Sequence, residues 1–126
     1  KRFYDWKRLR NDAIDVMDYH VNMQPSLGAL RSNPGMSYLK LEGNVYMTYN
    51  GSGYWVPVAL YCSTDYPVNH PICEVRPSGD LIIPPNHERV DVQGNVYLNY
   101  LHQWDKKSNL LGAIAELASA FSTKPF

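Results

Sequence analysis

The side chains able to do chemistry in this chain of 126 residues are few and widely spaced. Cys62 and Cys73 are the only thiols, and each falls inside a run that alternates like a strand. In that setting a cysteine reads as a small buried hydrophobe rather than as a nucleophile. His20, His70, His87 and His102 show no spacing with a cysteine that closes a tetrahedral zinc site. Asp12, Asp15 and Asp18 flank an apolar helical stripe and read as a solvated face, since no ligand-spaced partner completes a site for a hard cation. No metal and no cofactor are therefore expected. Aromatics are more suggestive: ten Tyr, three Trp and three Phe would suit peptide recognition if exposed, although in a small mixed domain such rings are usually core. Tyr49 and Tyr54 flank a turn, where tyrosines commonly pair across strands for stability.

Composition narrows the class. Hydrophobic residues make up 44% and charged residues 19%, the balance of an ordinary globular domain. The length suits one domain with one core. A formal net charge of zero gives no reason to expect nucleic acid or an anionic membrane as the main partner. Two thiols make no disulfide framework, so the reducing cytosol is the expected compartment. No apolar run is long enough for a bilayer, and Lys1 to Arg10 is not a signal peptide. Because the chain starts without Met and stops at Lys-Pro-Phe, it is expected to be a single domain, residues 1–126, cut from a longer protein.

The elements that must position these residues follow from periodicity. Leu9, Ala13, Val16, Met17 and His20 make one stripe at the helical period, so a helix is expected over residues 3 to about 22, ended by Pro25. Leu39 to Tyr49 alternates with period two, Asn50 to Gly53 is a hairpin turn, and Tyr54 to Cys62 returns. Tyr54, Val56, Val58 and Leu60 fall on one face of that strand; Trp55, Pro57, Ala59 and Tyr61 fall on the other. Pro57 cannot donate to a ladder, so a bulge or a solvent-flanked position is expected there. Ile72 to Val75 and Leu81 to Ile83 supply two further strands, and Pro84-Pro85 opens an irregular crossing to Val96. Ser108 is placed to cap a last helix whose stripe is Leu110, Leu111, Ile114, Leu117, Ala118 and Phe121. The sum is an α+β fold: a four-stranded antiparallel meander with N- and C-terminal helices on one face.

Three blocks carry a family resemblance that covers about Ala13 to Pro125. They are Tyr54-Trp55-Val56-Pro57-Val58, Tyr66-Pro67-Val68-Asn69-His70-Pro71-Ile72-Cys73, and Gly94-Asn95-Val96-Tyr97-Leu98-Asn99-Tyr100-Leu101-His102-Gln103-Trp104. The chain resembles the ubiquitin-conjugating-enzyme variants, or UEV domains, and within them the ESCRT-I branch that sorts ubiquitinated cargo. The resemblance implies a conjugating-enzyme-like fold without catalysis. Tyr97 stands at the cysteine position, and a phenol cannot replace a thiolate in transthiolation. His87, Glu88 and Arg89 stand where active enzymes carry His-Pro-Asn, so the oxyanion donor is missing too.

The same resemblance implies two binding surfaces. Peptides of the Pro-Thr/Ser-Ala-Pro type, pre-organised by proline, are expected at Tyr49 and Tyr54, with Trp55, Leu81 and the Pro125 segment alongside. Trp55 replaces a more usual Asn, Leu81 a Met. Ubiquitin is expected at Asn33, Tyr61 and Glu74, where Tyr61 replaces a Trp and Glu74 an aromatic. The expected partners are thus ubiquitin and ubiquitinated cargo, Pro-Thr/Ser-Ala-Pro proteins and, through chain outside this sequence, other ESCRT-I subunits. The expected place is the cytoplasm with recruitment to endosomes. The alternative is a UEV cofactor that pairs with an active conjugating enzyme; such variants generally lack the long C-terminal helix expected here. A fold-only relative such as an RWD interaction domain is a further reading.

Overall fold

A computed structural model describes residues 4–30, 33–76 and 83–126 of the chain. Helix α1, Trp6–Tyr19, starts at Asp5, whose side chain accepts from the Arg8 N–H at 3.1 Å. That bond satisfies one of the donors a first helical turn leaves free. The helix ends earlier than its periodicity suggests: His20 N–H closes it on Val16 O, and the next element already starts at Gln24, paired with Glu42. Pro25 therefore does not end the helix. It lies inside strand β1, Gln24–Leu30, which the sequence reading lacked. Pro and Gly hide this strand from its composition, and both are tolerated because β1 is an edge of the sheet.

Strands β2 (Asn33–Tyr49), β3 (Ser52–Cys62) and β4 (Ile72–Val75) complete a four-stranded antiparallel sheet in the order β1-β2-β3-β4. Of the run expected as the last strand, Leu81 and Ile82 lie outside the described residues, and Ile83 is buried but in no strand. The β2–β3 turn is tighter than expected. Only Asn50 and Gly51 turn, with φ of 54° and 80°, and Tyr49 pairs directly with Ser52. Two successive positive φ angles match the twist of the flanking strands, which is why Asn-Gly is favoured there.

The register fixes which side chain meets which surface. Leu41 faces Leu60 and Val45 faces Val56 across β2 and β3, and these bury with Val58, Cys62, Cys73 and Val75. Against that face pack Leu110, Ile114, Leu117 and Phe121 of helix α3, Leu110–Thr123, and Leu9, Ala13 and Val16 join the same core from α1, which lies against α3. The intervening positions, Lys40, Glu42, Tyr46, Trp55, Tyr61 and Glu74 among them, lie on the outer face. Pro57 causes no bulge: it stays in register with Asn44. Its carbonyl accepts from Arg76 N–H at 2.9 Å, so its missing donor falls just beyond the last pair of β3 with β4. Helix α3 is capped by Asn109, which accepts from Gly112 N–H at 2.7 Å, and not by Ser108. The Ser108 hydroxyl instead accepts from Asp105 N–H at 3.1 Å in the preceding turn. A short helix α2, Asn99–His102, links the crossing to that turn.

One polar node sits inside this apolar frame. Asp12 is buried, not solvated as expected; it accepts from Arg8 Nε at 2.8 Å and from the Tyr66 hydroxyl. Arg8 also donates to the carbonyls of Lys106 and Ser108, ahead of α3. Trp104 Nε1 donates to Pro67 O at 2.9 Å and its ring packs on Tyr66 and Tyr100. Burial and the hydrogen bond to Asp12 together push the Tyr66 phenol far above its ordinary range, so it remains a donor. Asp12→Ala leaves the Tyr66 hydroxyl without its acceptor and Arg8 without its carboxylate. Urea unfolding should show a loss of ~2–4 kcal/mol with the slope unchanged. Tyr66→Phe should cost less, since no charge is orphaned; a loss under ~0.5 kcal/mol for Asp12→Ala would show the node to be dispensable.

Candidate functional site

The crossing from Ile83 to Leu98 is irregular in dihedral terms but tightly bonded. Asp91 holds it together: its carboxylate accepts from Gln93 N–H at 3.0 Å, Asn95 N–H at 2.9 Å, Asn95 Nδ2 at 3.1 Å and the Tyr97 hydroxyl at 3.0 Å. Slight burial opposes its ionisation, but the bonds from Asn95, Tyr97 and Gln93 prevail and hold the carboxyl below its usual range. Gly94, at φ 96°, turns the chain against β4, where a Cβ would come within 2.1 Å of Val75 O. Only glycine fits that approach. Val96 N–H then donates to Cys73 O at 3.1 Å and Tyr97 N–H to Arg89 O at 2.7 Å.

This scaffold presents Tyr97 with 45% of its surface exposed. Its hydrogen bond to Asp91, and the charge of that carboxylate, raise the phenol above its ordinary value, so it is a neutral donor at physiological pH. The thiols are no better placed. Burial and then the Glu74 charge push Cys73 up to about 12, while burial and the Asp12 charge raise Cys62 further. Neither supplies a thiolate. Glu88 and Arg89 point into solvent beside a cleft of about 360 Å³ between the crossing and α3. His87 does the opposite. It is buried, accepts from Arg89 N–H at Nδ1 (3.0 Å) and meets Lys124 O at Nε2 (2.7 Å), which assigns the Nε2–H tautomer. Among the described residues no three His, Cys, Asp or Glu side chains are grouped to hold a metal.

The residues expected to bind peptide are divided by the sheet. Tyr49 and Tyr54 share the face toward α3 as diagonal neighbours, because Tyr49 pairs with Ser52 and Tyr54 with Met47. Tyr49 is half-buried at the margin of the core, whereas Tyr54 is 46% exposed and rests edge-on against Phe121, centroids 5.6 Å apart. Trp55 is on the other side, edge-on to its cross-strand partner Tyr46 at 5.2 Å and largely exposed. Its ring is thus not a wall shared with Tyr54. Leu81 lies outside the described residues. Pro125 is half-buried, and Phe126 beside it is only 3% exposed, between Phe121 at 5.2 Å and His87 at 5.4 Å. Sequence reasoning counted Phe121 only as helix core and gave His87 no role beyond a lost motif position. The signal available was an aromatic at the inner stripe of α3 near its end.

Of the residues expected to bind ubiquitin, Tyr61 and Glu74 are neighbours on β3 and β4, whereas Asn33 is not beside them. Tyr61 and Glu74 lie on the outer face, but Tyr61 is just 4% exposed and its hydroxyl accepts from Arg76. Glu74 has the partner its charge requires: Arg76 at 3.6 Å, which also pairs with Glu42 at 3.0 Å, itself 3.3 Å from Lys40. Burial, with Glu74 nearby, raises the Tyr61 phenol despite Arg76 and Lys40. Tyr38 packs edge-on to Tyr61 at 6.1 Å, and both border a cleft of about 380 Å³ with Asp65, His70 and Ile72. Asn33 begins β2, and its side chain is not described.

An antiparallel sheet with α1 and α3 on its core side and an irregular crossing after it make up the frame of a conjugating-enzyme variant. The family model for the UEV domain matches residues 1–125, and the chain belongs to the UEV domain family. It is accordingly not an enzyme. It is 32% identical over 117 residues to tumor susceptibility gene 101 protein of Homo sapiens, covering 90% of this chain and 30% of that protein. It is 35% identical over 125 residues to ubiquitin-conjugating enzyme E2 variant 3 of Danio rerio, covering 94% of this chain and 26% of that protein. The chain thus spans less than a third of the length of these relatives. Its fold matches the yeast Vps23 UEV domain solved with a Vps27 PSDP peptide, with a TM-score of 0.80 and 23% identity over 98% of this chain and 85% of that one. It also matches a complex of the Vps23 UEV with ubiquitin, TM-score 0.71 and 22% identity over 92% and 81%.

Incubated with activating enzyme, ATP and ubiquitin, the protein should form no adduct sensitive to dithiothreitol. On the family resemblance, in which exposed Glu88 and Arg89 fall where an oxyanion donor is expected, Tyr97→Cys should also charge poorly. A reducible band with the unaltered protein would overturn the assignment of Tyr97 to the lost nucleophile position.

Proposed function

We propose that the chain is a non-catalytic adaptor that holds proline-containing peptides beside Tyr54 and Tyr49 and ubiquitin on the outer sheet face near Tyr61 and Glu74. The observation that carries this reading is the Tyr54 ring, half exposed yet backed by Phe121. A ring fixed from behind has little freedom left to lose, so a stacked proline, already extended, is ordered at low cost. The PSDP peptide and ubiquitin found with the structurally similar Vps23 domain support both ligand classes. The relatives of Dictyostelium discoideum and human belong to the same reading: an ESCRT-I complex subunit and the tumor susceptibility protein. In it the chain is one UEV domain of a longer cytoplasmic protein drawn to endosomes, where it sorts ubiquitinated cargo with other ESCRT-I subunits. Among the described residues no helix is long and apolar enough to cross a membrane. Pairing with an active conjugating enzyme is the lesser reading, because the 14-residue α3 covers the sheet beside the crossing.

Isotope-labelled protein titrated with Pro-Thr-Ala-Pro and Pro-Ser-Ala-Pro peptides should bind with a Kd on the order of 10⁻⁵ to 10⁻⁴ M, as a short buried motif allows. Tyr54→Ala should abolish the response with the fold retained. An unchanged titration for that variant, or no binding by the parent at millimolar peptide, would remove the main support for the adaptor reading. Ubiquitin should bind more weakly, about 10⁻⁴ to 10⁻³ M, suited to multivalent use. Glu74→Phe keeps the Arg76–Glu42 pair and adds apolar surface, so ubiquitin should bind tighter by roughly 1 kcal/mol. No change would place the ubiquitin surface elsewhere.

A further inference from the structure

Four rings form an unbroken series from the β2–β3 hairpin to the crossing. Tyr54 meets Phe121 at 5.6 Å, Phe121 meets Phe126 at 5.2 Å, and Phe126 meets His87 at 5.4 Å, each edge to face. Tyr54 is 46% exposed, whereas Phe121 at 2%, Phe126 at 3% and His87 at 9% are buried. The outer ring is therefore supported by two buried ones. The inner end is held by polar contacts. His87 Nε2–H donates to Lys124 O, and its Nδ1 accepts from Arg89 N–H. Lys124 is the C-cap of α3, with extended backbone and its own N–H bonded to Ala120 O, so the chain leaves the helix there. Beyond the His87 bond, the Phe126 ring is seated between Phe121 and His87.

From this we infer that His87 is a positioning residue for peptide binding. It stands in the crossing, at a position read as a remnant of catalysis, and acts through Phe126 and Phe121 on Tyr54. Its two features have separate tasks: the Nε2–H fixes the direction of the chain after α3, and the ring edge seats Phe126. The inference rests on the reading that Tyr54 holds the peptide. Phe121 alone cannot fix Tyr54, because an edge-to-face pair tolerates tilting unless the second ring is itself confined. Confinement of Phe121 from the far side is what Phe126 supplies.

The test compares His87→Ala, His87→Gln and His87→Phe in peptide titrations, with Tyr54→Ala alongside. Gln keeps a donor able to reach Lys124 O and loses the ring; Phe keeps a ring and loses the donor. His87→Ala should weaken the Pro-Thr-Ala-Pro peptide about tenfold, the size of one net hydrogen bond with its packing. Gln should recover part of that loss while Phe recovers little, and ubiquitin affinity should not move in any of the three. Independently of peptide, the Tyr54 ring proton shifts should change in His87→Ala and return toward the parent in His87→Gln, which a generally loosened fold would not do. If Tyr54→Ala abolishes binding but His87→Ala binds like the parent with unshifted Tyr54 resonances, His87 has no positioning role. If Tyr54→Ala itself binds normally, the underlying reading of the groove fails, and the ring shifts alone then decide whether His87 governs Tyr54.

Discussion

The buried Asp12 carboxylate is the contact on which the arrangement of this domain turns. It is reached from two directions, by Arg8 one helical turn away and by Tyr66 from the loop after β3, and Arg8 extends the link to the backbone before α3. An isolated carboxylate in this position would be costly; here each oxygen-facing donor comes from a different part of the chain, so satisfying the charge also sets the relative positions of those parts. Tyr66 carries the constraint onward. Its ring meets Trp104, Trp104 bonds Pro67 and packs edge-on to Tyr100, and the Tyr100 hydroxyl accepts from Asn109 N–H at the start of α3. A single connected set thus joins α1, the loop after β3, α2 and α3.

That connection explains why Tyr66-Pro67 and His102-x-Trp104 are the most conspicuous features of the sequence although neither lies at a candidate ligand surface. They are two halves of one structural joint. Much of the fold was legible for a similar reason: β2, β3, β4 and α3 bury one face each, and a buried face writes its period into the sequence. What stayed hidden obeys no period. β1 is an edge strand with Pro25 and Gly28, held by backbone pairing to β2 rather than by its own composition. Asp12 looked solvated because its partners, Arg8 apart, are distant in sequence. The choice of Asn109 over Ser108 as cap depends on dihedral angles, which two adjacent good capping residues do not reveal.

Of the candidate site, residue types are legible in the sequence and geometry is not. Absence of a thiol at Tyr97 and of an oxyanion donor at His87 to Arg89 can be read directly from residue identity. Presence of a groove cannot, since it depends on which faces the rings take. Trp55 adjoins Tyr54 in sequence and is for that reason on the other side of the sheet, where it pairs with Tyr46. Phe126 was visible only as the residue after Pro125, with no hint that it would be buried against His87. Glu74 shows the converse: a charge that sequence reading left in want of a partner finds Arg76 two residues along the chain, in an ion-pair set that crosses to Glu42.

The alternation that separates Tyr54 from Trp55 has a functional side. With a side-chain period of two, one strand, β3, gives Tyr54 to the face toward α3 and Tyr61 to the outer face, and the same Leu41–Leu60 register fixes both assignments. A slip of one residue would exchange the two sets and bury the wrong one, so the core that stabilises the sheet also enforces the separation. Ligands on opposite faces of one sheet do not compete for space. On the proposed reading, a protein carrying both a proline motif and ubiquitin is held at two points, where the second contact is governed by effective concentration and two weak affinities suffice. Loss of catalysis fits the same economy of structure. The Asp91 hub keeps the crossing folded without any reacting group, and that retained loop is where His87 meets the segment following α3.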